Sequence, residues 1–194
     1  MYELLKTLHE ADVKVSHRFD IAERIDYYTG LCEKSGGISF EDVEEVHKNM
    51  MLLLDLLKGM KSESRLCHID SVADNFIITA DNKIKLIDWE YAGMADPLLD
   101  IAMGAIYSYM SFDTAKLFLE DYLWAADVEG VKMPLLLGAR SKEELDKLLI
   151  AYMGLSGLLW SLWCAYKMRK GQEFGEYSLK MLRYFKDAKK ILGI

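Results

Sequence analysis

Proline and cysteine are scarce in this chain, and each scarcity limits what the protein can be. Two prolines among 194 residues leave long stretches in which helices can continue without interruption. The three cysteines, Cys32, Cys67 and Cys164, lie far apart and form no CxxC pair. We therefore expect no disulfide framework and no structural zinc site, and a reducing, cytoplasmic location.

The chain also lacks an excess of basic residues. Its 24 lysines and arginines are outnumbered by 31 acidic residues, which gives a net charge of −7. Nucleic-acid binding calls for a clustered basic surface, so we expect no nucleic-acid partner. A cationic ligand suits an acidic protein better.

A signal-peptide h-region is missing from the N-terminus, but a long uncharged run occurs later. No charged residue lies between Leu148 and Tyr166, a length close to that of a membrane span. The run contains two glycines, and its tryptophans lie inside it, whereas membrane aromatics prefer the ends. We interpret it as a buried core helix and expect no membrane span.

Helical periodicity dominates the chain on both sides of a short strand-like region. Ser39 is predicted to cap a helix with Asp42 at its third position, and Ser141 with Glu144 forms a capping box. Ser111 or Asp113 is predicted to cap another helix. The predicted helices cover residues 1–12, 21–33, from the Ser39 cap to a stop at Gly59, from the Ser111 or Asp113 cap to 126, 141–170 and 175–192.

Between these helices, Phe76–Thr79 and Ile84–Ile87 have the composition of short strands. The connecting run Ala80–Lys83 suits a turn. The sequence therefore predicts a mostly helical α+β protein with one small hairpin. We expect one domain over 1–194, with the hairpin region at 65–91 and a helical region at 97–194.

The hairpin register predicts which polar residues meet. If Asp81 and Asn82 form a two-residue tip, Asn75 lies opposite Asp88. Asp70 lies on the short segment that leads into the same end of the ribbon. Two carboxylates and one amide oxygen are thus predicted to share a small region.

Phosphoryl transfer requires such a set of groups. Mg²⁺ prefers oxygen ligands and takes one or two carboxylates plus phosphates, which suits Asn75 and Asp88. A separate carboxylate must orient the attacking hydroxyl and accept its proton, which suits Asp70. In the alternative interpretation Asp70 is an ordinary turn residue and His68 an ordinary loop histidine.

Four segments resemble the choline/ethanolamine kinase and aminoglycoside phosphotransferase superfamily, which has a protein-kinase-like fold. Leu66–Ile77 is similar to its catalytic loop. Leu86–Gly93, Met94–Ala102 and Leu159–Trp163 are closer to the choline kinases, above all the bacterial ones that supply phosphocholine to surface polysaccharides. Shorter matches are Leu8–His9, Phe19–Asp20 and Tyr27–Tyr28.

The resemblance implies the C-terminal lobe of a kinase-like fold, with ATP and Mg²⁺ as cofactors. It implies that Asp70 is the catalytic base and that Asn75 and Asp88 bind the metal and, through it, the nucleotide. His68, part of the same catalytic motif, matches a mainly architectural histidine. Asp100 matches an aspartate that braces the catalytic loop.

Two departures from the family pattern stand out. Ile69 occupies a position where many relatives have asparagine, which we expect to be tolerated. The N-terminal β-rich lobe, with its phosphate-covering loop and ATP-contacting lysine, has no match in residues 1–37. We therefore expect either a fragment of a longer enzyme or a truncated gene product, with weak or no kinase activity by itself.

Aromatic residues of the last third of the chain suggest the acceptor. Trp160 and Trp163 lie three apart, on one helix face, and ring faces attract quaternary ammonium groups. Such a stripe is more often core, but the resemblance favours a choline cage, with Glu90 and Tyr177 nearby. Tyr107 and Tyr109 are alternative walls.

Other acceptors and a non-enzymatic role stay open at this stage. Ethanolamine, another amino alcohol or an aminoglycoside would use the same phosphotransfer groups. A pocket lined by several carboxylates would favour an aminoglycoside, whereas a tryptophan cage favours choline. A choline-binding or interaction module without catalysis is the third interpretation. The oligomeric state is not predicted by these patterns.

Overall fold

A computed structural model describes residues 2–37, 43–59, 63–128 and 140–194. The chain divides into two compact units. Unit 1 comprises Met1–Phe19 with Met60–Leu149, and unit 2 comprises Asp20–Gly59 with Ile150–Ile194. The fold is predominantly helical with few strands, as the sequence predicts.

Seven helices are defined within the described residues, and each overlaps or falls within a region for which helix was predicted. Glu144 N–H donates to Ser141 Oγ at 3.2 Å, and Ser141 N–H donates to the Glu144 carboxylate at 2.7 Å, which confirms the capping box. Ser111 caps the fifth helix, since its Oγ accepts the Thr114 N–H at 3.1 Å. The predicted cap at Ser39 and Asp42 lies outside the described residues. The helices are α1 (Tyr2–Glu10), α2 (Ile21–Lys34), α3 (Val43–Lys58), α4 (Pro97–Tyr107), α5 (Phe112–Val128), α6 (Lys142–Met168) and α7 (Tyr177–Leu192).

Within the described residues of unit 1, four short strands form two antiparallel pairs. The predicted hairpin is present as β2 (Phe76–Ile78) paired with β3 (Ile84–Leu86). The other pair, β1 (Arg65–Cys67) with β4 (Gly93–Ala95), was not predicted from the sequence. Strands of three residues are too short to show alternation, and their pairing is decided by contacts distant in sequence.

The predicted hairpin register is wrong by one residue. Thr79 N–H donates to Lys83 O at 2.8 Å, so the loop contains three residues instead of two. Asn82 takes the left-handed conformation, φ 57°, that closes such loops. Asn75 therefore lies opposite Ile87, whose N–H donates to Asn75 O at 3.0 Å, and Asp88 is the next residue.

Helix α4 forms the centre of unit 1. All ten residues from Pro97 to Ile106 are buried, including the charged residue Asp100. Asp96 caps the helix by accepting the Leu98 N–H at 2.9 Å, and Arg140 pairs with the same carboxylate at 2.9 Å. A fully buried helix anchored at its N-terminus holds Asp100 in a fixed position.

Helix α6 contains the long uncharged run. By length and composition it could cross a membrane, which is weak evidence because the core helices of soluble proteins pass the same test. In the structure 83% of its apolar window is buried. In unit 2 it packs closely against α7, where Gly157 approaches Met181 and Tyr184. The run therefore behaves as the core helix that the sequence analysis favoured.

Candidate active site

Asp70 and Asn75 are joined by two hydrogen bonds across one turn of unit 1. The 3₁₀ turn Ala73–Asn75 folds the chain back, so that Asn75 Nδ2 donates to Asp70 O at 2.8 Å and to Asp70 Oδ2 at 3.0 Å. Asn75 is buried and Asp70 half-buried. With its amide group donating to Asp70, the side chain of Asn75 keeps its Oδ1 oxygen for a cation.

Asp88 follows directly on the residue that pairs with Asn75. It is exposed and has a left-handed backbone, with φ 62°. An amide oxygen and a free carboxylate are the donors that a hard cation such as Mg²⁺ accepts. The residues present therefore fit this ion.

His68 links the segment before Asp70 to the segment before Asp88. Its side chain is buried, its Nε2 donates to Ile87 O at 2.8 Å, and its ring lies 4.8 Å from the exposed Trp89 ring, edge to face. Its Nδ1 atom is buried and has no hydrogen-bond partner among the described residues. The hydrogen bond to Ile87 O ties these two segments together.

Asp100 holds the loop of residues 68–75 by three hydrogen bonds, as the resemblance implies. Its carboxylate accepts the His68 N–H at 2.8 Å and the Ile69 N–H at 2.6 Å. Its main-chain carbonyl accepts the Ser71 hydroxyl at 3.1 Å. Asp70 lies between these three attachment points, so its backbone is fixed on both sides.

A second buried pair extends this bracing and was not predicted. His9 Nε2 donates to Asp100 Oδ2 at 3.1 Å, and His9 Nδ1 lies 2.9 Å from the Tyr122 hydroxyl. All three side chains are fully buried. The contacts span more than ninety residues of sequence, so no local pattern could reveal them.

His9, Cys67 and Asp100 also come close enough to suggest a metal site, since their ligand atoms lie within 4.8 Å of one another. Burial raises the pKa of the Cys67 thiol well above its usual value, and its Sγ donates to Ala95 O at 3.7 Å. A metal ligand would have to be the thiolate. Because both His9 nitrogens and both Asp100 carboxylate oxygens also form hydrogen bonds, the cluster is better described as a bracing network.

The predicted cage tryptophans lie together in unit 2, with a third ring that the sequence analysis missed. The ring centroids of Trp160 and Trp163 are 5.9 Å apart, and those of Trp163 and Phe174 are 5.0 Å apart. Trp160 is buried, and Trp163 and Phe174 are half-buried. Phe174 follows the end of α6, so helical periodicity does not include it.

One ring face of this aromatic cluster (Trp160, Trp163 and Phe174) is already covered by a cation. Lys167, one turn after Trp163, places its Nζ 5.4 Å from the centroid of the Trp163 ring. A ligand ammonium group would have to share this face with Lys167 or displace it.

The remaining predicted acceptor residues are distributed over both units. Glu90 is exposed in the turn after Asp88, and Tyr177 is half-buried at the start of α7. Tyr107 ends α4, and Tyr109 is exposed just beyond it. Glu90, Tyr107 and Tyr109 belong to unit 1, whereas Tyr177 and the aromatic cluster belong to unit 2.

Curated relatives of the chain carry one name. Protein LicA of Haemophilus influenzae is 26% identical over 196 residues, which cover 92% of this chain and 50% or 63% of two LicA sequences. A LicA homologue of Mycoplasma capricolum is 31% identical over 130 residues, 66% of this chain and 50% of the relative. The chain thus spans about half to three fifths of the length of these relatives.

Solved structures agree with these sequence comparisons. The choline kinase LicA of Streptococcus pneumoniae shares the fold with a TM-score of 0.77 and 28% identity, over 99% of this chain and 61% of that one. LicA in complex with AMP gives a TM-score of 0.78. A choline/ethanolamine kinase family protein of Mesorhizobium loti, 18% identical, shows the same fold with a TM-score of 0.74.

A sequence profile of one family spans almost the whole chain. The profile of choline/ethanolamine kinases matches residues 3–190. The chain belongs to the choline/ethanolamine kinase family.

Proposed function

We propose that this chain provides the acceptor and metal-binding part of an ATP-dependent phosphotransferase that acts on the hydroxyl of choline. One observation carries the proposal: in a member of a kinase family, the Asn75 side-chain amide donates to the main-chain oxygen of Asp70 and to its Oδ2. The chain spans only part of its relatives, so the activity of a whole enzyme is included in the proposal.

Asp70 is the proposed base. Asn75 holds its Oδ2 at 3.0 Å, which leaves Oδ1 to accept the proton of the acceptor hydroxyl. The three attachments of residues 68, 69 and 71 to Asp100 limit the freedom of this carboxylate. Asn75 Oδ1 and Asp88 would hold Mg²⁺, which would supply positive charge for the phosphates of ATP.

The aromatic cluster supports choline as the acceptor. Choline has a quaternary nitrogen without N–H groups, so ring faces recognise it better than hydrogen-bond acceptors do. The cluster of Trp160, Trp163 and Phe174 offers such faces in a half-buried setting. The Streptococcus pneumoniae relative is a choline kinase.

Calorimetric titration with choline, ethanolamine and kanamycin tests the acceptor. Choline is expected to bind more tightly than ethanolamine, because the primary ammonium group of ethanolamine is more costly to remove from water. Absence of heat with all three ligands would reject the proposal for this chain. Stronger binding of ethanolamine or kanamycin would identify that ligand, instead of choline, as the acceptor.

Removing the Trp163 ring should weaken choline binding. Trp163→Ala is expected to raise the Kd for choline roughly 2- to 30-fold, which corresponds to one cation–π contact of about 0.5–2 kcal/mol. Trp163→Phe retains a ring and should recover part of the loss. Equal affinity of all three proteins would show that the cluster is core and not a cage.

Lys167 should compete with choline for the face of Trp163. Lys167→Met removes the ammonium 5.4 Å from the ring centroid and is expected to lower the Kd for choline several-fold. Lys170 is a matched control, because its Nζ lies 4.4 Å from the centroid of another ring, Tyr166. Lys170→Met should leave the affinity unchanged, and an equal gain in both variants would indicate a general effect of charge.

One observation favours a polycationic acceptor such as an aminoglycoside. A cleft of about 320 Å³ in unit 2 has an apolar floor that includes Met50 and Leu162. Three carboxylates, Asp26, Glu33 and Glu44, lie among its lining residues. Kanamycin is the probe in the calorimetric series that distinguishes this function.

A further inference from the structure

The backbone of Ile69 has a conformation that its side chain disfavours. Its φ is 72°, in the left-handed region, and the residue is fully buried. A β-branched residue with a positive φ is a genuine outlier, and a residue in such a conformation persists only when the surrounding structure holds it there. Asp70 follows directly, so strain at Ile69 acts on the segment that carries the proposed base.

The groups that oppose this strain can be followed outward from Ile69. Its N–H donates to Asp100 Oδ1 at 2.6 Å. The other oxygen, Oδ2, accepts the His68 N–H at 2.8 Å and His9 Nε2 at 3.1 Å. Both carboxylate oxygens of Asp100 already accept main-chain N–H groups, so His9 Nε2 is the donor in its contact with Oδ2.

Tyr122 completes the chain of hydrogen bonds. With the proton of His9 on Nε2, Nδ1 is an acceptor for the Tyr122 hydroxyl at 2.9 Å. Burial raises the pKa of Tyr122, so this hydroxyl keeps its proton. Both nitrogens of the His9 ring and both oxygens of the Asp100 carboxylate are therefore hydrogen-bonded, and helices α1, α4 and α5 are tied to one loop.

We propose that His9 and Tyr122 are positioning residues: through Asp100 they hold Ile69 in its left-handed conformation and thereby fix Asp70. The β-branched side chain of Ile69 makes this chain dependent on them. Asparagine adopts the left-handed region at lower cost, so the same loop would need less support. The effect on catalysis rests on the proposed function, whereas the effect of His9 and Tyr122 on the conformation of Ile69 does not.

Amide hydrogen exchange of the whole chain, read at residues 68 and 69, tests the proposal. Tyr122→Phe removes one hydroxyl and keeps the ring. We expect it to accelerate exchange at both amides roughly three- to tenfold, the range that corresponds to one hydrogen bond. Exchange in helix α6 should change less, because the hydrogen bonds of this network join α1, α4 and α5 to the loop.

The decisive comparison repeats Tyr122→Phe in two backgrounds. Ile69→Val keeps the β-branch, so the acceleration should persist. Ile69→Asn relieves the strain, so the acceleration should fall below about twofold. Equal acceleration of amide exchange in both backgrounds overturns the proposal, because the Tyr122 hydroxyl then stabilises the loop independently of the strain at Ile69.

Two further measurements, the ¹⁵N shift of His9 and the binding of choline, complete the test. The ¹⁵N shift of His9 Nδ1 should change in Tyr122→Phe, because this nitrogen loses its hydrogen-bond partner. No acceleration in the wild-type background overturns the proposal even if Ile69→Asn fails to fold. Failure of choline to bind would reject the proposed acceptor and leave the exchange results unaffected, so the two failures are distinguishable.

Discussion

Replacing Asp100 by alanine is expected to lower the free energy of unfolding by about 3–5 kcal/mol. The substitution removes the acceptor for the His68 N–H, the Ile69 N–H and His9 Nε2 at once. All three donors lie in a region where Asp100 is fully buried, so water cannot readily replace the carboxylate. Urea denaturation followed by circular dichroism measures the loss.

Two comparison variants show whether the loss comes from the lost acceptor. Asp100→Asn keeps the shape but places an NH₂ group against donors, so it should also be strongly destabilised. Asp113→Ala removes an exposed carboxylate whose ion-pair partner within the described part of the chain is Lys116, at 3.4 Å, and should cost no more than about 0.5 kcal/mol. A loss below about 1 kcal/mol for Asp100→Ala would mean that the loop finds other partners.

Local sequence patterns predicted the helices because caps and periodicity are short-range. The Ser141–Glu144 box and the Ser111 cap require only residues three apart, and both form as expected. The hairpin turn failed by one residue for an equally local reason. From the sequence, Ala80–Lys83 suits a two-residue loop and a three-residue loop equally well. The left-handed backbone conformation of Asn82 in the structure distinguishes between them.

Sequence spacing alone predicted contacts of the candidate site only between residues that are close in the sequence. Asp70 and Asn75 are close in sequence and meet in one turn. The His9–Tyr122 contact joins residues 113 positions apart, and no composition or spacing encodes it. Ile69 was expected to be a mild departure, whereas the positive φ at this position makes it a strained residue.

Adding one methyl group at Gly157 is expected to destabilise unit 2 by about 2–3 kcal/mol. A Cβ at this position would lie 2.4 Å from Met181 O and 2.9 Å from Tyr184 Cβ. The first of these atoms belongs to the backbone of α7, so a side-chain rotation cannot relieve the overlap. Helix α7 must move away from α6, and contacts along the helix pair are lost.

Gly30→Ala is the matched control, since it makes the same chemical change in another helix of unit 2. A Cβ at Gly30 meets nothing within 4 Å, and α2 continues on both sides. Alanine favours helix over glycine, so this variant should gain up to about 1 kcal/mol. Opposite signs for the two substitutions, measured by urea denaturation, would establish close approach of α6 and α7 as the cause. A stable Gly157→Ala protein would mean that the two helices can separate without loss, and the tight packing around Gly157 would then contribute little to unit 2.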